Sequence, residues 1–131
     1  MKNVNRLALI LAALLCAGLL SACGGKKDET VDVKTYSYDA GEFITNIKNS
    51  NKMLSCAIKM DLISESLLTT LTEKDYVAKD VINRRLRELT EADLEADSVQ
   101  ETLSKALVAD LNAALNTEGF FKVYFVRFVY Q

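Results

Sequence analysis

The chain has 131 residues, half of them hydrophobic and 26% charged, with 16 basic against 18 acidic side chains and a net charge of −2. That length holds one small domain with its own core, and a balance without basic surplus leaves little to neutralise a phosphate backbone, which argues against nucleic-acid binding. The complete lack of histidine removes the usual general base near neutral pH and the commonest zinc ligand, so most hydrolase and metalloenzyme readings fall away.

Lys2 and Arg6 form a short basic head ahead of an apolar stretch from Leu7 to Leu20, and Ser21-Ala22-Cys23-Gly24-Gly25 follow. A basic head, a short apolar middle and a small-residue exit describe a secretory signal. The exit Leu20-Ser21-Ala22-Cys23 resembles the lipobox of bacterial lipoproteins. That resemblance implies diacylglyceryl attachment to Cys23, cleavage before it and an acylated new N-terminus. The other reading is an uncleaved membrane helix, since Leu7 to Cys23 reaches the lower edge of the roughly 17–25 residues needed to cross. Both readings put the residues after Gly25 outside the cytoplasm, because the positive head stays inside. The expected division is a lipoprotein signal peptide over 1–22, a lipidated tether over 23–35 and an extracytoplasmic domain over 36–131. Loss of Lys2 and Arg6 takes 16 basic residues to 14 against 18 acidic ones, a mature charge of −4. Cys16 leaves with the signal and Cys23 carries lipid, so Cys56 has no partner for an intrachain disulfide.

Glu42 to Ile47 reads as a short strand, with a turn at Asn49-Ser50-Asn51. Met53 to Ile63 alternates: Leu54, Cys56, Ile58, Met60 and Leu62 share one face, and Ser55, Lys59 and Asp61 the other, the pattern of a half-buried strand. Thr72-Glu73-Lys74-Asp75 carries a hydroxyl with an acid three residues on, and is expected to start a helix whose apolar face is Ala78, Val81, Ile82, Leu86 and Leu89. Thr90 to Leu94 predicts one short helical turn. Ser98-Val99-Gln100-Glu101 reads as a second capping box, opening a helix with Val99, Leu103, Ala106, Leu107, Leu111, Ala114 and Leu115 at 3–4 spacing, closed by Asn116 to Gly119. Phe120 to Tyr130 is the last strand. Strict alternation puts Phe121, Val123, Phe125 and Val129 on one face with Arg127, and Tyr124, Val126, Phe128 and Tyr130 on the other. With both faces apolar, the strand is expected to be central or covered on both sides. The order strand, strand, helix, helix, strand predicts a small α+β domain: an antiparallel sheet with two main helices.

Chemistry-bearing constellations are sparse. Cys56 lies on the apolar face of a strand with no histidine to activate it, which favours a structural thiol. Asp93, Glu95 and Asp97 have the first spacings of a calcium loop, but its sixth position is Ser98 rather than glycine and its twelfth is Ser104 rather than glutamate. Ser55 and Ser64 lack a base, and the five glycines form no phosphate loop. No catalytic residue, metal site or cofactor is therefore assigned, and the chain does not read as an enzyme. Arg84, Arg85 and Arg87 form a small basic cluster, either a solvated helix face or part of an interface.

Several segments together resemble the FliL family of flagellar basal-body-associated proteins. Gly41-Glu42-Phe43-Ile44-Thr45-Asn46-Ile47 is similar to the family's Gly-Glu-Phe-x-x-Asn-Leu stretch, and Leu54 to Leu62 to the strand after it. Asp80-Val81-Ile82, Leu86, Thr90 and Leu94 keep the spacing of its first helix and the following turn. Leu103 to Leu115, with Asn112, is similar to its second helix. Val123-Tyr124-Phe125 and Phe128-Val129-Tyr130-Gln131 resemble its ending.

The resemblance implies a stomatin/SPFH-like domain forming a homo-oligomeric ring around the periplasmic part of the flagellar stator. There it would support the stator's active, ion-conducting state and raise torque for swimming and swarming. The implied partners are flagellar stator membrane proteins, with no nucleic acid and no small-molecule substrate. The implied place is the cytoplasmic membrane, on its periplasmic face at the basal body. A generic envelope lipoprotein with a structural or solute-binding role is the alternative. Two departures from the family stand out. Its members usually keep a transmembrane helix where this chain has the lipobox, and Arg85 sits where the helix is usually apolar. Arg85 either snorkels, with its head in water, or pairs with an acid on a neighbouring subunit.

Overall fold

The computed structural model describes residues 33–131; the expected signal over 1–22, the expected lipidation at Cys23 and the expected tether up to residue 32 lie outside the described residues. Three strands form one antiparallel sheet in the order β1 (Tyr36–Asn46), β2 (Met53–Leu62), β3 (Phe120–Tyr130). Between β2 and β3 come α1 (Glu65–Glu73), α2 (Asp75–Arg87), the single turn α3 (Glu91–Leu94) and α4 (Val99–Leu115). The expected α+β arrangement is present.

The alternation in β2 sets the architecture. Leu54, Cys56, Ile58, Met60 and Leu62 are all fully buried and floor the core. Leu71 of α1, Ile82 and Leu86 of α2, and Leu107 and Leu111 of α4 roof it. Full burial of each such side chain contributes roughly 1.5–3 kcal/mol. The result is two layers, helices over one face of the sheet, with the other face open to solvent.

Four expectations change. A helix, α1, precedes the expected helix start: Ser64 caps it by accepting the Leu67 N–H at 3.3 Å. Thr72 therefore lies inside α1 and its hydroxyl donates to the Leu68 carbonyl at 2.9 Å, while α2 begins at Asp75 behind Lys74 without a side-chain cap. Ser98 stands at the N-cap of α4 but makes no capping hydrogen bond; its φ of −97° and ψ of 13° depart from the extended backbone usual there. The capping box is instead at α3, where Thr90 and Asp93 bond reciprocally.

The third change is in β3. It is an edge strand, and its pairing with β2 slips twice, between Phe125 and Arg127 and between Phe120 and Lys122. Each slip is a β-bulge with one extra residue, Val126 and Phe121, and each reverses which face the following residues take. Phe120, Val123, Phe125, Phe128 and Tyr130 thus turn to the core side, and Lys122, Tyr124, Arg127 and Val129 to the outside. Strict alternation fails because the strand is not strictly alternating. β1 also carries one bulge, between Asp39 and Gly41, where Gly41 adopts φ +87°. β1 is also longer than the expected Glu42–Ile47.

Candidate functional surface

The three arginines come together on the last turn of α2, where positive charge complements the helix dipole. They do not act alike. Arg85 turns toward α4 and grips Asp110 with two parallel bonds, Nε to Oδ2 at 2.6 Å and Nη2 to Oδ1 at 2.7 Å. The acid that meets Arg85 is thus in the same chain, an option the two sequence-level readings did not contain. Its signal was present: Asp110 follows Leu103 and Leu107 on the inward stripe of α4, an acid on one apolar face answering a base on the other. Arg84 points outward, with Asp80 one turn back at 3.3 Å, and Arg87 is exposed. Val81, Arg84, Arg85, Glu88, Asp110, Ala113 and Ala114 line an open groove of about 580 Å³ between α2 and α4.

The β1–β2 turn is tied to the corner between α2 and α3. Lys48 Nζ meets Glu88 Oε2 at 2.6 Å, Lys52 Nζ meets Glu91 Oε2 at 2.7 Å, and the Ser50 hydroxyl donates to Glu91. These bonds hold the Glu88 and Glu91 carboxyls below the usual carboxylate range. Asn112 on α4 clamps the start of β3, its side-chain oxygen accepting the Phe120 N–H at 3.0 Å and its amide donating to the Phe120 carbonyl at 3.2 Å.

Cys56 is fully buried, and burial pushes its thiol up to about 11, so it stays protonated and inert at neutral pH. Asp93, the first position of the calcium-loop spacing, is engaged by Thr90 in the α3 cap. Among the described residues no group of three or more His, Cys, Asp or Glu side chains is placed to hold a metal ion.

The solvent face of the sheet is ordered in rows that run across all three strands. One row is Asp39, Lys59, Tyr124; the next is Glu42, Ala57, Arg127; the next is Ile44, Ser55, Val129; the last is Asn46, Met53, Gln131. Arg127 reaches over the small Ala57 to Glu42 at 3.5 Å and donates to the Ser55 hydroxyl at 2.7 Å. The Tyr124 hydroxyl donates to Asp61 at 2.6 Å, which pushes the phenol's pKa up. On that face Ile44 is 63% exposed and Val129 in the same row 49% exposed, while the bulge residues Phe121 and Val126 are each 65% exposed.

The profile of the family described as flagellar basal body-associated protein FliL matches residues 37–131. The chain belongs to the FliL family. The match starts at the second residue of β1 and takes in every helix and strand described, so the FliL region and the α+β unit coincide. The flagellar protein FliL of Bacillus subtilis (strain 168) is 29% identical over 124 residues, covering 95% of this chain and 88% of that protein. The Gly41-Glu42-Phe43 segment that resembled FliL falls at the β1 bulge, where the glycine takes the left-handed backbone and Phe43 enters the core. Among the described residues no helix is long and apolar enough to cross a membrane.

Proposed function

We propose that this FliL-family chain is a lipid-anchored, extracytoplasmic motor protein that assembles around the flagellar stator and supports its active state. The observation that carries this reading is the family match over the whole folded unit, with flagellar basal-body association as its shared description. Residues 1–22 act as a cleaved signal, Cys23 takes the lipid, and residues 23–35 tether the domain of 36–131 to the cytoplasmic membrane. One acyl chain holds weakly and two or more hold stably, at ~0.8 kcal/mol per buried CH₂. Confinement to the membrane raises the domain's effective concentration beside a membrane-embedded partner.

The mechanism is a population shift. A homo-oligomeric ring that binds the active stator state about tenfold better than the resting one stabilises it by ~1.4 kcal/mol, which changes torque without any bond being made or broken. Arg84 and Arg87, exposed at the end of α2, are the side chains placed to meet acids on a partner, with Arg85 held to Asp110 behind them.

Deletion of the gene is expected to reduce swimming and swarming while leaving filaments intact; normal motility would refute the reading. Stator proteins are expected to co-purify with the wild type and to be depleted with Cys23→Ala, which should also leave the membrane fraction. Equal recovery with Cys23→Ala would show the tether to be dispensable. Arg84→Ala with Arg87→Ala should weaken stator recovery, and unchanged recovery would remove both from the contact.

A further inference from the structure

Among the described residues the sheet has two unpaired edges, and they are complementary. Met53 and Gln131 exchange both backbone bonds, at 2.8 and 3.1 Å. Ladder alternation then turns the N–H and C=O groups of Phe128 and Tyr130 away from β2, and on the other side those of Glu42 and Ile44. Toward its start β3 is closed off, since Ser104 on α4 donates to the Val123 carbonyl at 2.7 Å. The open stretch is therefore Phe125 to Tyr130, which has neither proline nor an acid to discourage pairing.

We infer that the open edge of β3 takes the β1 edge of a second copy of this chain, head to tail, so that the sheet continues from one subunit into the next. This rests on the oligomer reading above and names its contact. β1 and β3 run in the same direction, because each is antiparallel to β2. A copy added with the same face outward therefore pairs in parallel, where each residue offering its N–H and C=O stands opposite one that does not. Phe128 and Tyr130 on β3, out of phase with Glu42 and Ile44 on β1, meet that condition when the rows simply continue. In that register Arg127 lies beside Glu42, Val129 beside Ile44, and Gln131 beside Asn46: base with acid, exposed aliphatic with exposed aliphatic, amide with amide. Neighbouring strands lie only about 4.7–4.9 Å apart, half the span that Arg127 now crosses to reach its own Glu42, two strands away. Arg127 has donors to spare and Glu42 has free lone pairs, so each can serve both partners. Pairing β3 with β3 would leave Arg127 with no acid opposite it. A contact between two different patches adds copies in one sense and closes into a ring when the rotation allows.

The test uses full-length protein in detergent, with mass followed by light scattering over a range of concentration. Glu42→Arg and Arg127→Glu should each weaken self-association by at least about tenfold, because each puts like charges on the two edges. An equimolar mixture of the two should restore it, since alternating copies are again complementary. Mixing cannot repair the Glu42–Arg127 pair within a chain, so recovery reports contact between copies and not folding. Wild-type association by either single variant, no recovery on mixing, or a wild type that stays monomeric would overturn the edge contact. Swim-plate assays of the gene deletion read the flagellar role separately: impaired swimming with indifferent charge variants discards the edge and keeps the role, and the reverse discards the role.

Discussion

Asn112 shows how much one side chain can do. It substitutes for a backbone partner at the first residue of β3, meeting both the N–H and the C=O of the buried Phe120. Asn112→Leu keeps the branching at Cγ and removes both bonds, so it should cost about 2 kcal/mol, read as a lower denaturant midpoint at unchanged slope. Arg85 and Asp110 are a weaker link. Their geometry is bidentate, yet both side chains are about a third exposed, so water screens them. A double-mutant cycle with Arg85→Met and Asp110→Ala should give a coupling of about 1 kcal/mol or less that shrinks with salt. A coupling near zero at low salt would make the pair incidental. Gly41 sits at φ +87° with open space around its missing side chain. Gly41→Ala should therefore cost only the backbone strain, about 1 kcal/mol, with no repacking. A loss much larger than that would mean the bulge itself had collapsed.

The elements differ in how openly the sequence announces them. β2 is legible because five apolar residues at strict alternation fill one side of it, and all five are fully buried. α4 is legible from Leu103, Leu107 and Leu111. α1 is hidden by its composition: three threonines in nine residues are poor helix formers, and here Thr69, Thr70 and Thr72 turn their hydroxyls back on the preceding carbonyls. Only its Ser64 cap gives it away, and the Thr72 that looked like a cap belongs to its last turn. β3 is hidden differently. Its bulges at Phe121 and Val126 exist only relative to β2, and a single chain's period cannot display a register. For the same reason the surface rows, and with them the match between Arg127 and Glu42, were invisible before the strands were paired. Asp110 was legible in principle, as the one carboxylate on the inward stripe of α4.

For the whole domain, the turn-to-corner contacts matter most under acid. Glu88, Glu91, Asp93 and Glu101 all have carboxyls held below their ordinary values, each chiefly by a side-chain hydrogen bond. A lowered folded-state value means the stabilisation is complete above the unfolded value, near 4.5 for Glu and 3.8 for Asp, and is lost as pH falls through the folded one. Stability should thus be flat from neutrality down to about pH 5 and drop below it, with thermal melts across pH 3–7 as the check. The carboxylates nearest the β1–β2 turn, Glu88 and Glu91, account for part of that loss, so Glu91→Gln should flatten the acid limb. Since Glu88, Asp93 and Glu101 are exposed and Glu91 is partly so, the drop should be shallower at high salt.

Cys56 offers a way to watch the domain breathe. Its sulfur lies beneath the sheet's helical cover with no route from water, and it is the free thiol among the described residues. An uncharged alkylating reagent can reach it only while the two layers are parted. Its labelling rate is therefore an internal clock, counting how often the domain opens.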